Sequence, residues 1–134
     1  MSLIDKNLEL MATTLTASAA TTSHLDLGAA NKAIGNELYM ECLVTTTLDS
    51  TEEDATLKLT IQGATETTFG TAVDLASSAA IVEDSLAAGY IIRVRMPALD
   101  TMYQFIRGYL TVGTHNFTSG AVKVYMLETP VVDL

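Results

Sequence analysis

The sequence predicts one all-β domain, a β-sandwich or small barrel, on three observations. From Leu38 onward, aliphatic, β-branched and aromatic residues alternate with polar ones over short runs, which is the two-residue period of a strand with one buried face. Glycines punctuate these runs near Gly63, Gly70, Gly89, Gly113 and Gly120, as expected of turns between short strands. No segment sustains the 3.6-residue apolar period of a core-facing helix. With 134 residues, the chain can build one core but not two, because domains commonly hold about 100–150 residues.

The N-terminal part differs from the rest. Residues 12–23 read ATTLTASAATTS, small and uncharged with no regular period. Residues 1–30 are therefore expected to form an extended arm, either laid against a neighbouring subunit or frayed as a disordered terminus, with 31–134 forming the sandwich. On that reading, removing residues 1–23 leaves the sandwich folded.

The strands follow in order. In residues 38–48, Leu38, Met40, Cys42 and Val44 alternate with Glu41 and Thr45, although Tyr39 and Leu43 blur the polar face. Leu57, Leu59 and Ile61 face one side while Lys58, Thr60 and Gln62 face the other, and Gly63 ends the run. Residues 74–86 are Ala- and Ser-rich but weakly patterned. A short helix there competes with an edge strand at 79–82. Ile92, Val94 and Met96 alternate with Arg93 and Arg95, and Pro97 closes the segment by removing a ladder donor. In residues 103–112, Tyr103, Phe105 and Tyr109 lie on one face and Ile106, Leu110 and Val112 on the other, so both faces are expected to be covered. Val122, Val124 and Met126 make the last strand.

Composition narrows the function. The formal charge of −9 opposes binding to phosphate backbones, which depends on clustered Lys and Arg, so direct nucleic-acid binding is not expected. No stretch approaches the ~20 apolar residues of a bilayer-spanning helix, and no membrane partner is expected. The N-terminus lacks a basic region followed by an apolar run, so the chain is expected to stay in the compartment where it is made. The single cysteine, Cys42, lies in an apolar strand and reads as a buried thiol.

Catalytic constellations are missing. The sequence contains no GxSxG elbow, HExxH pair, phosphate-binding Walker loop or GxGxxG fingerprint. His24 sits beside the polar arm, and His115 sits in the turn Gly113-Thr114-His115-Asn116, where a solvated loop histidine is expected. Asp49, Glu52, Glu53 and Asp54 form the densest acidic run, but they lack the glycine and terminal Glu of an EF-hand loop. They read as a solvated loop tip. No catalytic residue, metal ligand or cofactor is expected.

The candidate interface residues are Arg93, Arg95 and Arg107, with Leu15 and Leu25 from the arm. The three arginines are three of seven basic residues, on consecutive strand-like segments of an acidic chain. Two readings compete: one patch that pairs with carboxylates across a subunit contact, or solvated strand faces that keep the sheet soluble and block edge pairing. Tyr39, Tyr90, Tyr103, Tyr109 and Tyr125 all lie on expected strands, where packing accounts for most of them.

The order of these segments resembles the capsid cement, or decoration, proteins of tailed bacteriophages of the Bordetella-phage type. The resemblance runs from the small-residue arm into Leu25-Asp26-Leu27-Gly28 and Ile34-Gly35-Asn36-Glu37-Leu38-Tyr39. It continues through Leu75-Ala76-Ser77-Ser78, Leu86-Ala87-Ala88-Gly89 and Arg93-Val94-Arg95-Met96-Pro97 to Gly120-Ala121-Val122. It implies a jelly-roll-like β-sandwich that assembles as a homotrimer on the outer surface of an icosahedral shell, reinforcing contacts between major capsid proteins. It also implies localisation to the virion after synthesis in the bacterial host cytoplasm. A receptor- or carbohydrate-binding sandwich of a virion is the alternative. An aromatic content of 6% and the absence of Trp weigh against a sugar platform.

Overall fold

A computed structural model describes residues 9–26, 37–96 and 103–129. The elements are β1 (Glu9–Thr14), β2 (Ala19–Ala20), β3 (Leu25–Asp26), β4 (Glu37–Asp49), β5 (Thr56–Ala64), β6 (Val73–Ser77), β7 (Ile81–Val82), β8 (Ile91–Arg95), β9 (Phe105–Gly113) and β10 (Ser119–Thr129). One 3-10 turn at Glu83–Ser85 follows β7. Between residues 74 and 86 the chain thus takes the edge-strand alternative rather than a helix. Pro97 lies outside the described residues.

Two antiparallel sheets face each other. One runs β1-β10-β4-β8; the other runs β2-β9-β5-β6, with β3 also on β9 and β7 also on β5. The alternation read from the sequence sets their inner faces. Met40, Cys42 and Val44 of β4, Ile92 and Val94 of β8, and Val122, Val124 and Met126 of β10 meet Leu57, Leu59 and Ile61 of β5 and Ile106 and Leu110 of β9 in one core. Burial pushes the Cys42 thiol up to about 12, which leaves it protonated and inert at neutral pH.

The pairings are nested. β1 pairs with β10, β2 and β3 with β9, β4 with β8, and β5 with β6 and β7. The chain is therefore one long antiparallel ribbon folded back on itself at the β5–β6 connection. The further pairings of β10 with β4 and of β5 with β9 roll that ribbon into two sheets, which is the jelly-roll topology.

Within this topology the described part of the arm, residues 9–26, is extended but is not separate from the sandwich. β1 forms the outer strand of one sheet, and β2 and β3 pair with β9 at the margin of the other. Leu10, Met11 and Leu15 are buried in the common core. The expected boundary at residue 30 therefore does not divide arm from core, and a chain lacking residues 1–23 loses three core side chains.

The absence of a period in residues 12–23 has a physical cause. The segment crosses from one sheet to the other, and its hydroxyls replace ladder groups. Ser18 Oγ accepts from the Val112 amide at 2.8 Å. Thr21 is bonded twice to Gly108, its amide donating to the Gly108 carbonyl at 2.9 Å and its Oγ1 accepting the Gly108 amide at 3.1 Å. A Cβ at Gly108 would stand 2.7 Å from Met40 Sδ on the facing sheet, so any larger residue at that crossing has to displace the Met40 side chain. Gly120, at φ +120, lies at a register shift of β10 where a side chain would meet the Leu48 backbone.

Candidate interaction surface

The three arginine candidates sit on strand positions that point away from the core. Arg93 and Arg95 lie between the buried Ile92, Val94 and Met96, so they project from the outer face of the β1-β10-β4-β8 sheet. Arg107 lies between the buried Ile106 and Gly108 on β9 and projects from the outer face of the other sheet. Alternation therefore places Arg93 and Arg107 on opposite sides of the sandwich, and the expected single patch does not form. Leu15 is 1% exposed and belongs to the core. Leu25 is partly buried and packed against it.

Around Arg93 the register builds a row across the outer face: Glu9, Tyr125, Glu41 and Arg93 are in line across β1, β10, β4 and β8. Glu41 is 3% exposed although it faces outward. Its carboxylate accepts from Tyr125 Oη at 2.7 Å and from Arg93 Nε, with which it forms an ion pair. Both carboxylate oxygens are thus held, so the buried charge is tolerated. The Arg93 guanidinium also lies 5.5 Å from the Tyr39 ring centroid, a cation–π distance. Burial, with Glu41 beside it, pushes the Tyr125 phenol above the ordinary tyrosine range. This network escaped the sequence reading. The signal was there: a face carrying Tyr39, Glu41 and Leu43 is too apolar to be merely solvated.

The opposite face carries a second cluster. Arg107 Nε donates to Gln62 Oε1 at 2.8 Å, and Gln62 Nε2 donates to Asp74 Oδ1 at 3.0 Å. Phe69, from the connection between β5 and β6, lies over the Arg107 guanidinium at 4.5 Å and is buried outside the main core. His24 stands edge-on to Phe105 at 5.3 Å and tilted to Phe69 at 5.9 Å. Periodicity does not reveal Phe69, which sits in a connection at φ +53.

The acidic run divides its work. Asp54 bonds His115 Nδ1 at 2.6 Å and raises the histidine's proton affinity above its usual value, first through that hydrogen bond. Ser50 donates through Oγ and through its amide to the carboxylate of Glu83. These bonds, that of Oγ foremost, hold the carboxyl below the usual carboxylate range. The contacts fasten the β4–β5 connection to its neighbours. Among the described residues, no group of three His, Cys, Asp or Glu side chains converges to hold a metal ion.

No curated protein matched the sequence. A family model does match, over residues 11–126, a span that starts within β1 and ends within β10 and so reaches every strand described. The chain belongs to the Bbp16 family, whose name points to a Bordetella-phage protein.

Proposed function

We propose that this chain is a structural capsid cement protein. It binds the outer surface of an icosahedral phage shell as a homotrimer and strengthens contacts between major capsid proteins, having been made in the host cytoplasm. The observation that carries this reading is the match to the Bbp16 family across residues 11–126. The jelly roll supports it, because a small domain whose core is closed by its own N-terminal strands is a rigid body suited to bridging larger subunits. The charge of −9 agrees with a position outside the shell rather than on packaged nucleic acid.

The energetics need only modest contacts. A protein that binds the mature shell and not its disassembled parts stabilises the shell by mass action. A trimer engaging three sites raises avidity by roughly 10²–10⁴ over one contact. The test is cosedimentation of the purified chain with phage shells, followed by light scattering of the free protein. Cosedimentation with a gain in shell heat resistance is the expected result, with a solution mass of three times 14.3 kDa. Shells that neither bind the protein nor gain resistance would overturn the cement reading, and glycan-array binding in that case would turn it toward the receptor-binding class.

A further inference from the structure

β8 ends its sheet: it pairs with β4 on one side, and among the described residues no strand pairs with the other. Which of its groups face that open side follows from the ladder. The Val44 amide donates to the Tyr90 carbonyl at 2.9 Å, so in this register bonded pairs fall at Cys42–Ile92 and Met40–Val94. Antiparallel alternation then turns the amide and carbonyl of Ile91 and Arg93 outward. An open edge of this kind is a template for an added strand.

The side chains along this side are unusual for the molecule. Val73, Val82 and Ile91 are the exposed large hydrophobics among the described residues. They lie on β6, β7 and β8, and β6 adjoins β8 where the two sheets meet. Beside them Arg93 and Arg95 project from the outer face. Arg93 is fixed by Glu41 and Tyr39 yet remains half exposed, which leaves its terminal nitrogens presented rather than loose.

These charges select the occupant. In the register that would use the whole strand, a second β8 would place Arg93 opposite its own copy, and like charges directly opposite are destabilising. We propose that the β8 edge receives an extended segment of a partner protein, bearing carboxylates at alternate positions, as an added strand. The backbone bonds form at Ile91 and Arg93, the carboxylates meet Arg93 and Arg95, and apolar side chains cover Ile91. The cement reading supplies only the partner's identity, a shell protein; the edge itself rests on β8.

The test uses a synthetic peptide of eight residues that presents one Val and two Glu on a single face, at alternate positions opposite Ile91, Arg93 and Arg95, and a control with Lys in place of Glu. Amide hydrogen exchange of the full chain at millimolar peptide should show protection at Ile91 and Arg93. The Lys peptide should bind at least tenfold more weakly. Ile91→Pro, which removes an outward donor without touching the β4 ladder, should abolish the protection. Ile91→Asp, which keeps the amide and adds a repelling charge, should weaken binding as much if the proline variant is misfolded. No protection at these two amides, or equal binding of the Glu and Lys peptides, overturns the proposal. Shell cosedimentation separates it from the cement reading. Wild-type chain that fails to cosediment sinks the cement reading alone, whereas Ile91→Asp chain that cosediments as well as wild type overturns the edge as the shell contact.

Discussion

Leu15 tests whether the N-terminal segment belongs to the core. Its side chain is 1% exposed, and its amide donates to the Gly120 carbonyl at 3.1 Å, which fixes the backbone and limits collapse around a cavity. Leu15→Ala should then cost about 3 kcal/mol, within the range for buried leucines. That lowers the midpoint of thermal unfolding by about 10 °C for a chain of this size. Removing residues 1–23 deletes Leu10, Met11 and Leu15 together. At about 1.5–3 kcal/mol for each buried side chain, the loss approaches the whole stability of a domain, about 5–15 kcal/mol. The truncated chain should lack a cooperative urea transition and near-ultraviolet circular dichroism. Thr16→Ala, at an exposed neighbour, should change stability by no more than about 0.5 kcal/mol. A truncated protein that unfolds cooperatively at the wild-type urea midpoint would refute this reasoning and restore the independent arm.

Three further outcomes are expected. Gly108→Ala should cost about 1–3 kcal/mol by overpacking against Met40, and Met40→Val in the same chain should recover part of it in a double-mutant cycle followed by urea unfolding. Tyr125→Phe removes one of the donors to the buried Glu41 carboxylate and should cost about 1.5–3 kcal/mol; in an absorbance titration of the wild type, this phenol ionises above the ordinary range. The two loop carboxylate contacts give opposite pH dependences in urea midpoints. Glu83 is held below its usual value by Ser50, so its contribution is present above the ordinary carboxylate range and is lost as pH falls through the lowered folded value, a slope that Ser50→Ala should flatten. His115 is raised mainly by Asp54 and further by Glu52, so its contribution is present below the ordinary histidine value and is lost as pH rises through the raised one, a slope that Asp54→Asn should flatten.

Strong alternation made the main strands legible. Leu57, Leu59 and Ile61, or Ile92, Val94 and Met96, show a two-residue period because one face of each strand meets the core and the other does not. The N-terminal strands were hidden for the opposite reason. Residues 12–23 change sheets within a few residues and hold their places through hydroxyl-to-backbone bonds such as those of Ser18 and Thr21, so no single face persists long enough to set a period. Glu41 and Phe69 were missed because their burial comes from partners distant in sequence, Arg93 and Tyr125 for one and Arg107 for the other.

By itself, the sequence determined the all-β class, the core-facing residues of the long strands, the acidic charge and the outward direction of Arg93 and Arg95. Each of these depends on composition or on the parity of neighbouring positions. Only the tertiary structure decided which sheet each strand joins, and so that Arg93 and Arg107 lie on opposite faces, that Leu15 is a core residue, that the direction of Arg107 is outward, and that β8 has no second strand partner among the described residues. Parity fixes the side of a strand on which a residue lies. The pairing of that strand with one far away in the chain decides what that side meets.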